Sequence, residues 1–171
     1  MANAALAPMR LSYQEGLYSG AVNFSTPEAA TQTFSDGALV VVSSGNVQEC
    51  GANPTRIDGV AVGAANNYAS ATADGLHNHM FTLVDDNIIY EISIDKASAQ
   101  AGAAAVLAAS DVGSTIGVTK DTTGTTLYWY ADVDKKAANQ RLLIIGFPSF
   151  SPPGTVNGRV YVKFLSAFVI Q

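Results

Sequence analysis

Charge is scarce in this chain: only 13% of its 171 residues are Asp, Glu, Lys or Arg, about half the usual share of a globular domain. Hydrophobic residues reach 48%, so Ala, Ser, Thr, Asn and Gly have to supply much of the surface. A protein this sparsely charged does not stay in solution by charge density, and the composition predicts that a good part of its surface ends against other protein. Basic residues are the scarcer sign, nine against 14 acids for a net charge of −5. Phosphate binding needs clustered Lys and Arg, so nucleic acid is not an expected partner. The one adjacent basic pair, Lys135-Lys136, has Asp132 and Asp134 beside it and reads as a solvated turn.

Cysteine is limited to Cys50, which excludes an intrachain disulfide and any need for an oxidising compartment to fold. An unpaired thiol fits assembly in a cytoplasm. Long hydrophobic runs are also missing. The densest, Leu142 to Phe147, is far short of the ~20 residues with which a helix crosses a bilayer, so no membrane partner is expected. The opening MANAALAPMRLSYQEG has no basic stretch followed by an apolar one and does not read as a signal peptide.

What is present is β sequence in a one-domain length. At 17.7 kDa, folding is expected to remove roughly 70% of the unfolded chain's surface from water. Ala38–Val42 and Val60–Val62 read as buried strands punctuated by Gly37, Gly45, Gly51, Gly59 and Gly63. Met80–Val84 and Ile88–Ile94 flank Asp85-Asp86-Asn87, which predicts a hairpin. In the second of these, Ile88, Tyr90, Ile92 and Ile94 alternate with Ile89, Glu91, Ser93 and Asp95, one face core and the other wet. Thr115–Thr119, Thr125–Ala131, Arg141–Phe147 and Arg159–Leu165 complete the strands, the last preceded by turns at Ser151-Pro152-Pro153-Gly154 and Asn157-Gly158. The Ala-rich stretch Ala97–Ser110 predicts one short helix ending near Gly113.

Residues 1–35 stand apart from residues 36–171. They carry only Arg10, Glu15 and Glu28 as charges, among scattered Leu11, Tyr13, Leu17, Tyr18, Val22, Phe24 and Phe34. Disordered tails are usually charged and poor in aromatics, so this segment reads as an extended N-terminal arm that orders against something. Extended, it spans up to ~100 Å, enough to reach a neighbouring subunit; the alternative is that it wraps its own domain as edge strands. Leu11, Tyr13, Leu17, Tyr18 and Phe24 are its candidate interface residues.

Chemistry is thinly supported. His77 and His79 share a face if they lie on a strand and supply two imidazoles, but two ligands do not make a metal site and no Cys-x-x-Cys or His-Glu-x-x-His accompanies them. The plain alternative is a polar segment entering the strand at Met80. The letters His77-Asn78-His79 match a nuclease motif only by coincidence. Asp85-Asp86 and Asp132/Asp134 read as strand ends rather than paired catalytic or calcium-binding carboxylates. No nucleophile elbow or phosphate loop occurs, so no catalytic residue, cofactor or metal is expected and the chain does not read as an enzyme. In Tyr128-Trp129-Tyr130, alternation sends Trp129 to the core and leaves Tyr128 and Tyr130 exposed, as a subunit contact or a sugar-stacking surface.

Three stretches carry a resemblance. Gly37-Ala38-Leu39-Val40 is followed by a turn glycine and by Ile57, Gly59, Val60 and Ala61; LYWYADVD spans Leu127–Asp134; and the chain closes on Gly158-Arg-Val-Tyr-Val-Lys-Phe164. In that order, over about residues 35 to 171, they resemble the head decoration (cement) proteins of tailed bacteriophages. The resemblance implies a mainly β, small barrel- or sandwich-like (β-tulip-like) domain, often a homotrimer. Such proteins sit on the capsid exterior of the virion at local threefold axes and clamp the major capsid protein, having been made in the cytoplasm of a bacterial host. Readings of other classes are a carbohydrate-binding or adhesion β-module and a tail or neck structural protein.

Overall fold

A computed structural model describes residues 9–11, 23–69, 77–85, 88–96, 104–121, 128–136 and 139–166. The fold is mainly β, a closed five-stranded barrel with a second sheet beside it. The second sheet is antiparallel and runs in the order β2-β6-β5-β3-β4, with β2 at Asn23–Pro27, β3 at Leu39–Ser43, β4 at Asn46–Glu49, β5 at Gly59–Ala61 and β6 at Asn78–Leu83. Ser44 and Gly45 form the two-residue link between β3 and β4, both with left-handed φ of 50° and 79°, the geometry that matches strand twist in a tight hairpin. All of β5 is buried, as an apolar strand covered on both faces should be. The outer strands of this sheet meet: Glu28 bridges to Val47, and the Thr26 hydroxyl donates to the Gly45 carbonyl at 2.8 Å.

The barrel is built from β7 (Tyr90–Asp95), β8 (Thr115–Lys120), β9 (Trp129–Asp132), β10 (Gln140–Gly146) and β11 (Arg159–Phe164). Neighbours run β7-β11-β10-β8-β9, and a parallel pairing of Ile94 with Ala131 closes the ring. The register stacks Val160 on Ile92, Val162 on Tyr90, Ile144 on Val162, Leu142 on Phe164 and Val118 on Ala131. These alternating side chains belong to a core that is continuous with the second sheet. Period-two patterning is thus obeyed where one face looks into the barrel. Short β1 (Arg10–Leu11) pairs with β7 through Arg10 to Glu91 and Leu11 to Tyr90.

Four local expectations meet a different structure. First, the hairpin expected around Asp85 is a corner between two sheets: β6 pairs with β2 and β5, whereas β7 belongs to the barrel. Val84, Ile88 and Ile89 are all buried there, which a solvent-facing turn does not offer. Second, the described part of the helix expected over Ala97–Ser110 is extended at 104–108, with alternating burial, and ends in a single 3-10 turn at Ala109–Asp111; positions 97–103 lie outside the described residues. The backbone of this extended piece bonds to the 154–157 turn, Gly154 N to Leu107 O and Asn157 N to Ala105 O, both at 2.8 Å, and that pairing overrides the helix preference of alanine. Third, of the two readings open for the first 35 residues, the described pieces follow the one in which they wrap their own domain: β1 and β2 pair in cis, and Glu28 and Phe34 are buried. Fourth, Tyr130 is buried.

Candidate functional site

The residues expected to meet partners are spread over the molecule. Tyr13, Leu17 and Tyr18 lie outside the described residues. Leu11 sits in β1. Phe24, on β2, is 47% exposed, and its ring stacks on that of Phe81 with centroids 6.2 Å apart. Tyr128 is half-buried. Tyr130 is only 1% exposed, which corrects its assignment to an outer face. All four residues of β9 are buried, so alternation there separates barrel interior from a covered exterior rather than core from water. Trp129 is in the core as expected.

Trp129 marks the junction of barrel and sheet. Its Nε1–H donates to Glu49 Oε1 at 3.1 Å, while Lys120 Nζ donates to Glu49 Oε2 at 2.6 Å. One carboxylate from β4 therefore ties β8 and β9 to the second sheet. Nearby, the 50–58 loop lies against β10: Arg141 Nε donates to the Pro54 carbonyl at 2.6 Å and Asn139 Nδ2 to Asn53 Oδ1 at 3.3 Å. That loop frames an open pocket of about 290 Å³ lined by Val41, Cys50, Pro54 and Arg56 among others. The guanidinium of Arg56 is already taken by Asp58, at 2.6 and 2.8 Å, and Asp58 also accepts from the Val42 amide at 2.7 Å. Burial, followed by the fields of Asp58 and Glu49, pushes the Cys50 thiol up to about 12. A thiol so reluctant to ionise is a poor nucleophile or metal ligand at neutral pH.

The two histidines do not face one site. His77 packs edge-on against Tyr68 at 4.2 Å, whereas His79 is 4% exposed and its Nδ1 lies 3.5 Å from Glu28 Oε2. Burial holds His79 below its ordinary 6.5, against the opposing pull of Glu28, Asp36 and the Gly63 backbone. Among the described residues no group of three or more His, Cys, Asp or Glu side chains is placed to hold a metal ion. Asp132 ends its strand as expected. It accepts from the Thr119 hydroxyl at 2.9 Å and from the Asp134 amide at 3.1 Å. The lysine pair is tethered rather than free in water: Lys135 Nζ donates to Thr119 Oγ1 at 2.6 Å and Lys136 Nζ to Asp111 Oδ1 at 2.7 Å. Among the described residues no helix is long and apolar enough to cross a membrane.

The surface feature that sequence reading missed lies on two hydrogen-bonded segments, 104–113 and 148–158. Val106, Val112, Phe150 and Val156 are 40, 46, 66 and 55% exposed. The only charged residue in either segment is Asp111, itself bonded to Lys136 and to the Ala108 amide. Large apolar side chains exposed on adjoining segments that carry little charge are a usual mark of a protein contact. The available signal was Phe150 and Val156 placed inside a Pro- and Gly-rich turn, where nothing calls for apolar residues. Val62 and Met80 form a smaller exposed pair, 39 and 43%, joined by a backbone hydrogen bond of 2.9 Å. Comparison of the chain with protein-family models, with curated proteins and with solved structures finds no match.

Proposed function

We propose that this chain is a virion structural protein, a decoration or cement protein that binds the outer surface of a tailed-phage capsid, as a trimer at local threefold axes, and stabilises the lattice of the major capsid protein. The resemblance of Gly37–Ala65, Leu127–Asp134 and Gly158–Phe164 to that family motivates the reading. The observation that carries it is the exposure of Val106, Val112, Phe150 and Val156 on adjoining segments whose one charged residue is Asp111. Such a role is non-catalytic: it needs area and multiplicity. A specific contact buries on the order of 1,000 Å² or more in total, and a trimer touching several capsid subunits strengthens modest contacts because each engaged copy raises the effective concentration of the next. Phe24 supplies a further exposed aromatic on the edge strand that follows the N-terminal segment. The carbohydrate-binding reading loses half of its stacking platform with the burial of Tyr130.

The test pairs Phe150→Asp with Val156→Asp. Both positions are exposed, so folding is expected to change by about 0.5 kcal/mol or less, while a charge placed in a desolvated contact is costly. The double variant is expected to bind expanded capsid shells at least tenfold more weakly and to lose its protection of the shells against heat. Wild-type-like binding and protection by a folded double variant would remove this surface from the contact, and failure of the wild-type chain to bind any shell would remove the function.

A further inference from the structure

Glu28 and His79 form a buried ionisable pair where the chain leaves β2 and enters the core, with exposures of 0 and 4%. The Glu28 carboxylate accepts from the Asn66 amide at 2.9 Å, the Asn67 amide at 3.0 Å and Asn66 Nδ2 at 3.3 Å. On its other side stands His79 Nδ1 at 3.5 Å. The backbone at the same place donates to two more carbonyls, Glu28 N to His77 O just before β6 and Ala29 N to Val47 O in β4, each at 2.8 Å. The pair of side chains therefore joins the exit of β2, the loop carrying Asn66 and Asn67, and β6, and the adjoining Ala29 backbone adds β4.

The imidazole is packed as a neutral ring. Its neighbour Phe34 lies edge-to-face at 4.8 Å and 87°, and among the described residues no group bonds Nε2. A neutral imidazole presents there a bare acceptor. An imidazolium donates from both nitrogens, and burying its charge costs more than burying a neutral polar ring, a penalty that the nearby acceptors, the Gly63 backbone among them, do not offset. The charged groups facing the ring are Glu28, from the end of β2, and Asp36, from the connection to β3. Both favour the cation, as does the Gly63 backbone, but burial of the ring outweighs them, and the carboxylate oxygens are already bonded, Glu28 by the loop amides and Asp36 by the Gly63 amide at 2.7 Å.

We infer that the Glu28–His79 pair is an acid-sensitive latch: neutral His79 keeps the second sheet closed where β2 meets β4, and protonation releases the β2 exit and the loop of Asn66 and Asn67 while the barrel stays shut. The direction follows from proton linkage. A histidine held below its ordinary 6.5 in the closed form takes its proton more readily once the latch opens, so closure is fully favoured above that pH and loses ground as pH falls below it. The barrel strands lie outside this contact, and their hydrogen bonds do not depend on it.

The latch is tested on the full chain by NMR-detected amide exchange at pH about 7.5 and about 5, corrected for intrinsic rates, with a parallel titration of the His79 ring. The amides of Glu28, Ala29, Asn66 and Asn67 are expected to lose protection in acid by up to about tenfold per pH unit, the ceiling for one proton, while those of β7 and β11 do not change. The His79 ring is expected to titrate below 6.5, and His79→Asn is expected to flatten the pH dependence. Titration at or above 6.5, equal protection at both pH values, or barrel amides opening in step with the latch would each overturn the inference. Should the variant not fold, the wild-type titration and exchange decide alone.

Discussion

Replacing Glu49 with alanine probes the joint between barrel and sheet. The carboxylate holds Trp129 Nε1–H at 3.1 Å and Lys120 Nζ at 2.6 Å. Trp129 is 1% exposed, so truncation strands a buried donor, at a cost of ~1–3 kcal/mol. The ion pair contributes less than a fully buried one, because the Lys120 and Glu49 side chains keep 20 and 15% of their surface in water; ~1 kcal/mol is a fair allowance. The expected loss for Glu49→Ala is therefore about 2–4 kcal/mol, a large share of the ~5–15 kcal/mol typical of a domain. Glu49→Gln keeps an acceptor for the indole and should lose about 1 kcal/mol. Urea unfolding reads both through fluorescence, since Trp129 is the one tryptophan of the chain, and a lower midpoint at unchanged slope isolates stability from compactness. A double-mutant cycle with Lys120→Met separates the ion pair from the indole bond. The reasoning is refuted if Glu49→Ala stays within about 0.5 kcal/mol of wild type, or if Gln is as damaging as Ala.

Other expectations follow from the same structure. Gly59→Ala places a Cβ 2.2 Å from Phe81 Cδ2 and 2.8 Å from the Thr82 carbonyl; overpacking of this kind costs ~1–3 kcal/mol, and calorimetry should show the melting temperature falling by roughly 3–10 °C. Cys50, buried and pushed up to about 12, should resist a thiol reagent in the native protein and react fully in denaturant; rapid native labelling would contradict its placement. Urea midpoints should fall as pH drops below 6.5, because the lowered His79 pKa makes the unfolded chain the better proton acceptor there. A flat profile in His79→Asn would assign that slope to this ring.

Much of the β framework was legible because alternation has a direct physical cause. Ile92 and Ile94, and Val160, Val162 and Phe164, face one barrel core, and period two marks that from sequence alone. Trp129 was legible for the same reason. Tyr130 was not, because parity distinguishes two faces without saying whether the second one is wet, and every residue of β9 is enclosed. The corner at Asp85 escaped notice because two consecutive strands with a polar link look the same whether they pair with each other or part for different sheets. Ala104–Ala108 followed its tertiary hydrogen bonds to Gly154 and Asn157 rather than its helix propensity. The Glu28–His79 contact joins residues 51 apart in sequence (79 − 28), a separation at which no local pattern operates. The exposed group around Phe150 escaped because turn chemistry accounts for the prolines and glycines of its loop but is silent on the apolar side chains between them.

The reading as a capsid-surface protein is tested most directly by cryo-electron microscopy of viral shells incubated with the purified chain. It predicts added density on the outer surface, three copies around each local threefold axis, with the segments bearing Val106, Phe150 and Val156 buried in the contact. Undecorated shells beside a chain that stays monomeric at 17.7 kDa would contradict it.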